Sequence, residues 1–202
     1  MAETAGPWRP GTDPAPDPAA CARTLAAAFT REPAVTWICG GSAAARTRWF
    51  ETTLRTHATL AGARRHTLTD PSGRMVAAAV LTPPGAVPGA GARALWAART
   101  AVRCGPRALG RTLRYLHAAE TGVPDGAWTL EFVGVLPELT GRGAGRVLLD
   151  HLLDATPAPA GFFLTTADPA NVTLYRRFGF EVVRRTALAG LEITAMARPA
   201  GG

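Results

Sequence analysis

The chain has 202 residues, of which 47% are hydrophobic and 18% charged, and it carries a net charge of +7. A chain of this length buries roughly 70% of its unfolded surface, so one ordinary core is expected and two domains would be cramped. The composition excludes a disordered polyelectrolyte, and the longest apolar run, Met75 to Leu81, is far short of the roughly 20 residues that cross a bilayer.

The start, Met1-Ala2-Glu3-Thr4, carries an early acid and no apolar segment, which argues against a secretory signal and for a cytoplasmic protein with no membrane partner. Cys21, Cys39 and Cys104 form no CxxC pair or His-flanked cluster, so neither a disulfide framework nor a metal site is expected. Every basic residue is Arg and none is Lys, a composition bias that also suits bidentate contact with phosphate. These arginines are dispersed, without a zinc-finger spacing or an aromatic platform, so nucleic acid is not the expected partner.

Residues 1–18 hold Pro7, Pro10, Pro14, Pro16 and Pro18 and read as a flexible segment with at most one short strand near Trp8. From Ala19 a helical pattern places Leu25, Ala28 and Phe29 on one face and stops at Pro33. A second helix spans Ala43 to Leu60, with Trp49, Phe50, Leu54 and Ala58 apolar and Gly62 closing it. His66 to Thr69, the turn Asp70-Pro71-Ser72-Gly73 and Met75 to Leu81 form a hairpin.

After a Pro- and Gly-rich stretch, Ala94 to Val102 and Pro106 to Ala119 read as helices. In the second, Arg107, Arg111 and Arg114 share a face, which is either a solvated stripe or a lip over an anionic ligand. Trp128 to Leu136 is a strand, Arg146 to Leu153 a helix and Phe162 to Thr166 the next strand. Ala170 to Phe178 is then a short helix, and Phe180 to Thr186 with Leu191 to Met196 a closing hairpin around Gly190. This order gives a mixed sheet of α/β or α+β type.

Between strand and helix lies Thr140-Gly141-Arg142-Gly143-Ala144-Gly145, where missing side chains let backbone N–H groups and a helix N-terminus approach a phosphate. It is not a P-loop, since GxxxxGK[ST] is absent. Asp168 stands where a ribose-binding acid of a dinucleotide fold would. The glycines keep no GxGxxG spacing, however, and Pro137 to Thr140 separate strand from loop. Downstream, Asn171 and Tyr175 lie four apart on one helical face, before Phe178-Gly179-Phe180. Among possible bases, Glu131 on an alternating strand shares a face with Thr129 and Val133. Its plainer reading is an exposed carboxylate or an ion pair. His66 and His117 are weaker rivals, and Asp150, His151 and Asp154 read as the solvated side of their helix.

Val133-Gly134-Val135-Leu136-Pro137-Glu138, the glycine loop and Asn171-x-x-x-Tyr175-x-x-x-Gly179-Phe180 together resemble the GCN5-related N-acetyltransferase (GNAT) superfamily across residues 128–198. More loosely, Leu25 to Phe29, Trp37 and Leu81-Thr82-Pro83-Pro84 resemble actinobacterial small-molecule acetyltransferases of the puromycin N-acetyltransferase kind. The resemblance implies a central, mostly antiparallel mixed sheet flanked by helices and splayed between its fourth and fifth strands. One domain would span 19–198, with a helical insert at 83–120 and a disordered tail at 199–202.

It further implies acetyl-CoA as co-substrate, no metal, a small-molecule primary amine as acceptor, and a monomer or homodimer. The pantetheine arm would lie along Val133, Gly134 and Val135, with the pyrophosphate on the amides of Gly141 to Gly145 and with Arg142, Arg146 and Asn171 nearby. Thr140 stands where the family carries Gln or Arg, so its hydroxyl would replace a longer side-chain contact. Backbone donors near Val133 to Val135 would act as an oxyanion hole, and Tyr175 would protonate the departing sulfur as general acid. Glu131 would take the proton of the attacking ammonium. The alternatives are a protein or peptide acceptor, or an acyl-CoA-binding sensor without catalysis.

Overall fold

The computed structural model describes residues 8–13, 17–119 and 122–201. Residues 1–7 and 14–16 of the Pro-rich segment, residues 120–121 at and just past the end of the helical insert, and residue 202 lie outside them. Within the Pro-rich segment one strand forms, β1 (Arg9–Asp13).

Three helices follow. α1 (Pro18–Ala28) is capped by Asp17, whose carboxylate accepts from the amides of Ala19 and Ala20, and Pro18 at its first position needs no donor partner. Pro33, expected as a stop, instead opens a second short helix, α2 (Pro33–Cys39), capped by Glu32 through a 2.6 Å bond from the Val35 amide. α3 (Ala43–His57) begins at the Ser42 cap and ends one turn earlier than its pattern suggested.

The hairpin of β2 (Arg64–Thr69) and β3 (Met75–Thr82) leads into α4 (Ala90–Cys104) and α5 (Pro106–Ala119). Then come β4 (Trp128–Val135), α6 (Ala144–Ala155), β5 (Phe162–Thr166), α7 (Pro169–Arg176), β6 (Glu181–Leu188) and β7 (Leu191–Arg198). α6 starts two residues earlier than the apolar pattern indicated, because Gly143 caps it through a left-handed backbone rather than through a side chain.

The seven strands make one sheet in the order β1-β2-β3-β4-β5-β7-β6. All neighbours are antiparallel except β4 and β5, which are parallel. Two cores lie on its two faces. On one face Leu148, Leu149 and Leu152 of α6 pack with Ala77, Ala79 and Leu81 of β3, Leu130 of β4 and Tyr175 of α7. On the other, α1, α2 and α3 cover Ala78 and Val80 of β3, and Phe132 of β4 packs there too.

Phe29, Trp49, Phe50 and Phe132 meet edge-on with centroids 5.0–6.1 Å apart. Such pairs contribute about 0.5–1.5 kcal/mol each beyond burial, and they anchor Phe132 firmly to the helical side. α1 approaches β4 so closely that a Cβ on Gly134 would stand 2.8 Å from Ala28 Cβ and 2.9 Å from Leu25 Cδ2.

At the C-terminal end the chain passes Gly161, whose Cβ position is taken by the Arg198 carbonyl, with Pro199 and Ala200 beside it. Among the described residues, no helix is long and apolar enough to cross a membrane.

Candidate active site

β4 and β5 pair at only three positions, Trp128 with Phe162, Thr129 with Phe163 and Leu130 with Leu164. Beyond them the parallel ladder lapses, so Glu131–Val135 of β4 and Thr165–Thr166 of β5 are not paired with each other, and we term this unpaired stretch the slot.

Glu131 does not follow the alternation expected of it. Leu81 pairs with Leu130 while Val80 pairs with Phe132, so Glu131 is the extra residue of a β-bulge. Val133 turns with Leu130 toward α6, whereas Glu131 turns to the α1–α5 face, where its carboxylate accepts a 2.6 Å bond from Thr82 Oγ1. Thr82 Oγ1 in turn lies 3.1 Å from Nε2 of His57 at the end of α3.

Tyr175 lies on the opposite face of the sheet. It is buried in the α6 core, edge-on to Phe180 at 5.7 Å, and burial, with a smaller contribution from the Glu32 charge, raises its phenol pKa. It therefore holds its proton through the neutral range. The corner before α7 is pinned by hydrogen bonds. Asp168 caps the helix by accepting from the Ala170 amide, and Asn171 Nδ2 donates to Thr166 Oγ1 at 3.3 Å.

Two residues not singled out in the sequence complete the slot. Tyr115 of α5 places its hydroxyl 3.4 Å from Thr165 Oγ1. Burial pushes its pKa up to about 12, against the Thr165 hydrogen bond and with the charges of Glu32 and Glu131. Glu32 accepts from the Val35 amide at 2.6 Å, and the amides of Ala34 and Ala167 near it also favour its charged form, so the start of α2 lies by the loop after β5. Its own carboxyl is raised above the usual range, chiefly by burial and also by Asp168, despite those amides. A sequence signal existed for Glu32: an acid directly before Pro is a helix-start pattern. For Tyr115 there was none, since only the packing of α5 brings it to β5.

α5 crosses the slot as a roof. Trp49 Nε1 donates to Thr112 Oγ1 at 2.9 Å, Tyr115 meets β5, and Arg184 Nη2 of β6 donates to the Ala118 carbonyl at 3.1 Å. In the arginine stripe, Arg111 donates to the Trp37 carbonyl at 2.6 Å, and the guanidinium groups of Arg111 and Arg114 lie 5.5 and 5.7 Å from the Trp37 ring. Arg107 is exposed. The histidines named as rival bases are elsewhere. His66 is buried against Thr156 and His151 under α6, and His117 is exposed on α5.

The glycine loop lies on the Tyr175 side, at the start of α6. Gly141 and Gly143 adopt φ of +77° and +85°, and nothing lies within 4 Å of where their Cβ atoms would be. The first amides of α6, such as those of Ala144 and Gly145, have no carbonyl partner within the helix, as at any helix N-terminus. Thr140, Arg142 and Arg146 are exposed beside it, Arg146 pairing with Asp150 at 3.6 Å. An open cradle of amides at a helix N-terminus fits a pyrophosphate. Val133 and Val135 lie along the slot wall. Gly134 between them faces α1, which fills the space above it. Two surface hollows, of about 310 and 390 Å³, lie elsewhere, around Arg177 to Gly179 and beside Glu181. Among the described residues no group of three or more His, Cys, Asp or Glu is placed to hold a metal ion.

Residues 95–182 match the family model of the acetyltransferase (GNAT) domain. No curated protein matches the chain. Among solved structures, a Corynebacterium glutamicum protein described as histone acetyltransferase HPA2 and related acetyltransferase aligns at 21% identity with a TM-score of 0.68, over 96% of this chain and 98% of that one. A GCN5-related N-acetyltransferase from Rhodopseudomonas palustris aligns at 16% identity and a TM-score of 0.54, over 98% of each chain. The NatC complex bound to Gag peptide and CoA aligns at 13% identity and a TM-score of 0.50, over 95% of this chain and 96% of that one. These structures share the fold. Residues 95–182, a little under half of the chain, thus match an acetyltransferase (GNAT) domain and lie within a fold that these acetyltransferase structures share.

Proposed function

We propose that the protein is an acetyl-CoA-dependent N-acetyltransferase acting on a primary amine of a small molecule, in resistance or in biosynthesis. What supports this reading is that Glu131 lies on the α1–α5 face of the sheet and Tyr175 in the α6 core on the other, with the glycine loop at the start of α6. Acetyl-CoA supplies an activated acetyl thioester. Gly141 to Gly145, with Arg142 and Arg146, hold its pyrophosphate, and the backbone of Val133 and Val135 guides the arm into the slot.

The acceptor enters from the α1–α5 face. An alkylamine with a pKa near about 10 arrives as ammonium, and Glu131 on that face takes its proton. Tyr175, kept protonated by burial, delivers a proton to the sulfur on the other face. Charge is thereby handed across the sheet rather than along it.

The α5 roof favours a small acceptor over an extended peptide, because Tyr115, Thr112 and Ala118 tie it down at three points along its length. The test is thiol release from acetyl-CoA with a panel of small primary amines and short peptides. Turnover of at least one small amine is expected, falling roughly 10²–10⁴-fold in Tyr175→Phe. Turnover of peptides alone would move the acceptor to protein. Acetyl-CoA binding without turnover of any amine would make the chain a sensor.

A further inference from the structure

Glu131 is the end of a three-residue chain whose other members come from distant parts of the sequence. A carboxylate can only accept hydrogen bonds, so the 2.6 Å contact fixes the Thr82 hydroxyl proton toward Glu131. With its proton so committed, Thr82 Oγ1 offers His57 only lone pairs. The 3.1 Å contact must then be a donation from His57 Nε2–H. Among the described residues the other ring nitrogen, Nδ1, is buried with no hydrogen-bond partner of regular geometry, which suits the bare nitrogen of the Nε2–H tautomer, although the Leu81 carbonyl interacts with the ring from nearby.

We propose that Thr82 and His57 are positioning residues for Glu131, a directed chain in which His57 orients the Thr82 hydroxyl and that hydroxyl holds the bulge carboxylate ionised and aimed at the slot. This rests on the reading of Glu131 as the acceptor's base. The need for such a chain follows from the bulge. Glu131 lies outside the regular ladder and is exposed, so its side chain gets little orientation from packing.

His57 is suited to the role because it stays neutral. Burial first, then the Arg65 charge, hold its pKa down to about 4 against the nearby Leu81 carbonyl. A neutral ring orients the hydroxyl without introducing a cation that would repel an incoming ammonium. Among the described residues, the charged and titratable groups around the chain include Arg65 of β2 beside His57 and Tyr115 of α5 beside Glu131, with Glu32 beyond Tyr115.

The test is the titration of the Glu131 side-chain carboxyl by carbon NMR in the full chain, assigned with Glu131→Gln. Its readout needs no acceptor. Thr82→Val keeps the shape and removes the hydroxyl, and it is expected to raise the Glu131 midpoint by about half a unit to one unit. Thr82→Ser should restore it. His57→Gln, which keeps a donor near the Nε2 position, should leave it near wild type, while His57→Leu should raise it. Nitrogen spectra should show His57 as the Nε2–H tautomer. A midpoint unmoved in Thr82→Val, with the fold retained, would overturn the proposal, as would an Nδ1–H tautomer. Failure of the base reading is a separate result: Glu131→Gln turning over the amine panel at the wild-type rate.

Discussion

Gly143 holds φ at +85° directly before α6, and nothing stands where a side chain would project. A carboxylate placed there would face the amides that are proposed to receive a pyrophosphate. Asn and Asp tolerate this backbone region about equally, so Gly143→Asn and Gly143→Asp differ mainly in charge. Calorimetry with acetyl-CoA should find the Asp variant at least about tenfold weaker than the Asn variant, a difference of about 1.4 kcal/mol. Equal affinities would remove the loop from the cofactor site. At the same scale, Thr140 contributes an exposed hydroxyl and no longer reach, so in the proposed cofactor site the amides and the flanking Arg142 and Arg146 would hold the pyrophosphate.

At the scale of elements, α1 and β4 are locked by an absence. Gly134 leaves room for Ala28, Leu25 and Phe29, and Ala28 Cβ cannot swing away as the end of a long side chain could. Gly134→Ala should therefore cost about 1–3 kcal/mol in urea unfolding, by forcing the helix off the strand. Unchanged stability would show that α1 shifts freely.

The elements themselves were largely legible. The β-α-β-α-β-β order after Trp128 follows from apolar periodicity, and so do both hairpins. α2 was hidden because Pro33 was read as a terminator, although Pro is equally at home in a first helical turn and Glu32 supplies the cap. Of the proposed site, the sequence offers those parts that lie close together in the chain: the glycine loop, Asn171 and Tyr175. The site was illegible where His57, Thr82, Tyr115 and Glu131 converge, because helix and strand packing brings them together over separations that no local pattern spans. The face of Glu131 was misassigned for a related reason. Strict alternation holds only in an unbroken ladder, and one inserted residue reverses it.

For the whole molecule, acid should act through two buried histidines. The His57 and His66 pKa values are both lowered from an ordinary 6.5 to about 4, His57 by burial and Arg65, His66 by burial and the neighbouring His151 and Arg64. Between those values the unfolded chain takes up protons that the native chain refuses, so stability falls as pH drops from 6.5 toward 4. Each histidine accounts for up to roughly 3 kcal/mol across that window. Glu32, whose carboxyl is raised, works in the opposite sense, gaining native protons first as pH falls. Urea unfolding from pH 7.5 to 4.5 should show a decline that is shallower in a His57→Gln, His66→Gln double variant. A flat wild-type profile would contradict the burial of both rings.

The bulge at Glu131 also gives β4 an unequal tolerance to two kinds of genetic change. Replacing a side chain leaves the count of residues intact, so Leu130 and Val133 stay on the α6 face and Phe132 on its aromatic cluster. Deleting one residue at the bulge restores a regular ladder, and no residue is then left over to carry a carboxylate between Leu130 and Phe132. Adding one residue to the same short stretch sends Phe132 or Val133 to the wrong core. The strand's chemistry is thus written in its length as well as in its letters, and a lineage exploring new acceptors can change residues here far more readily than it can change their number.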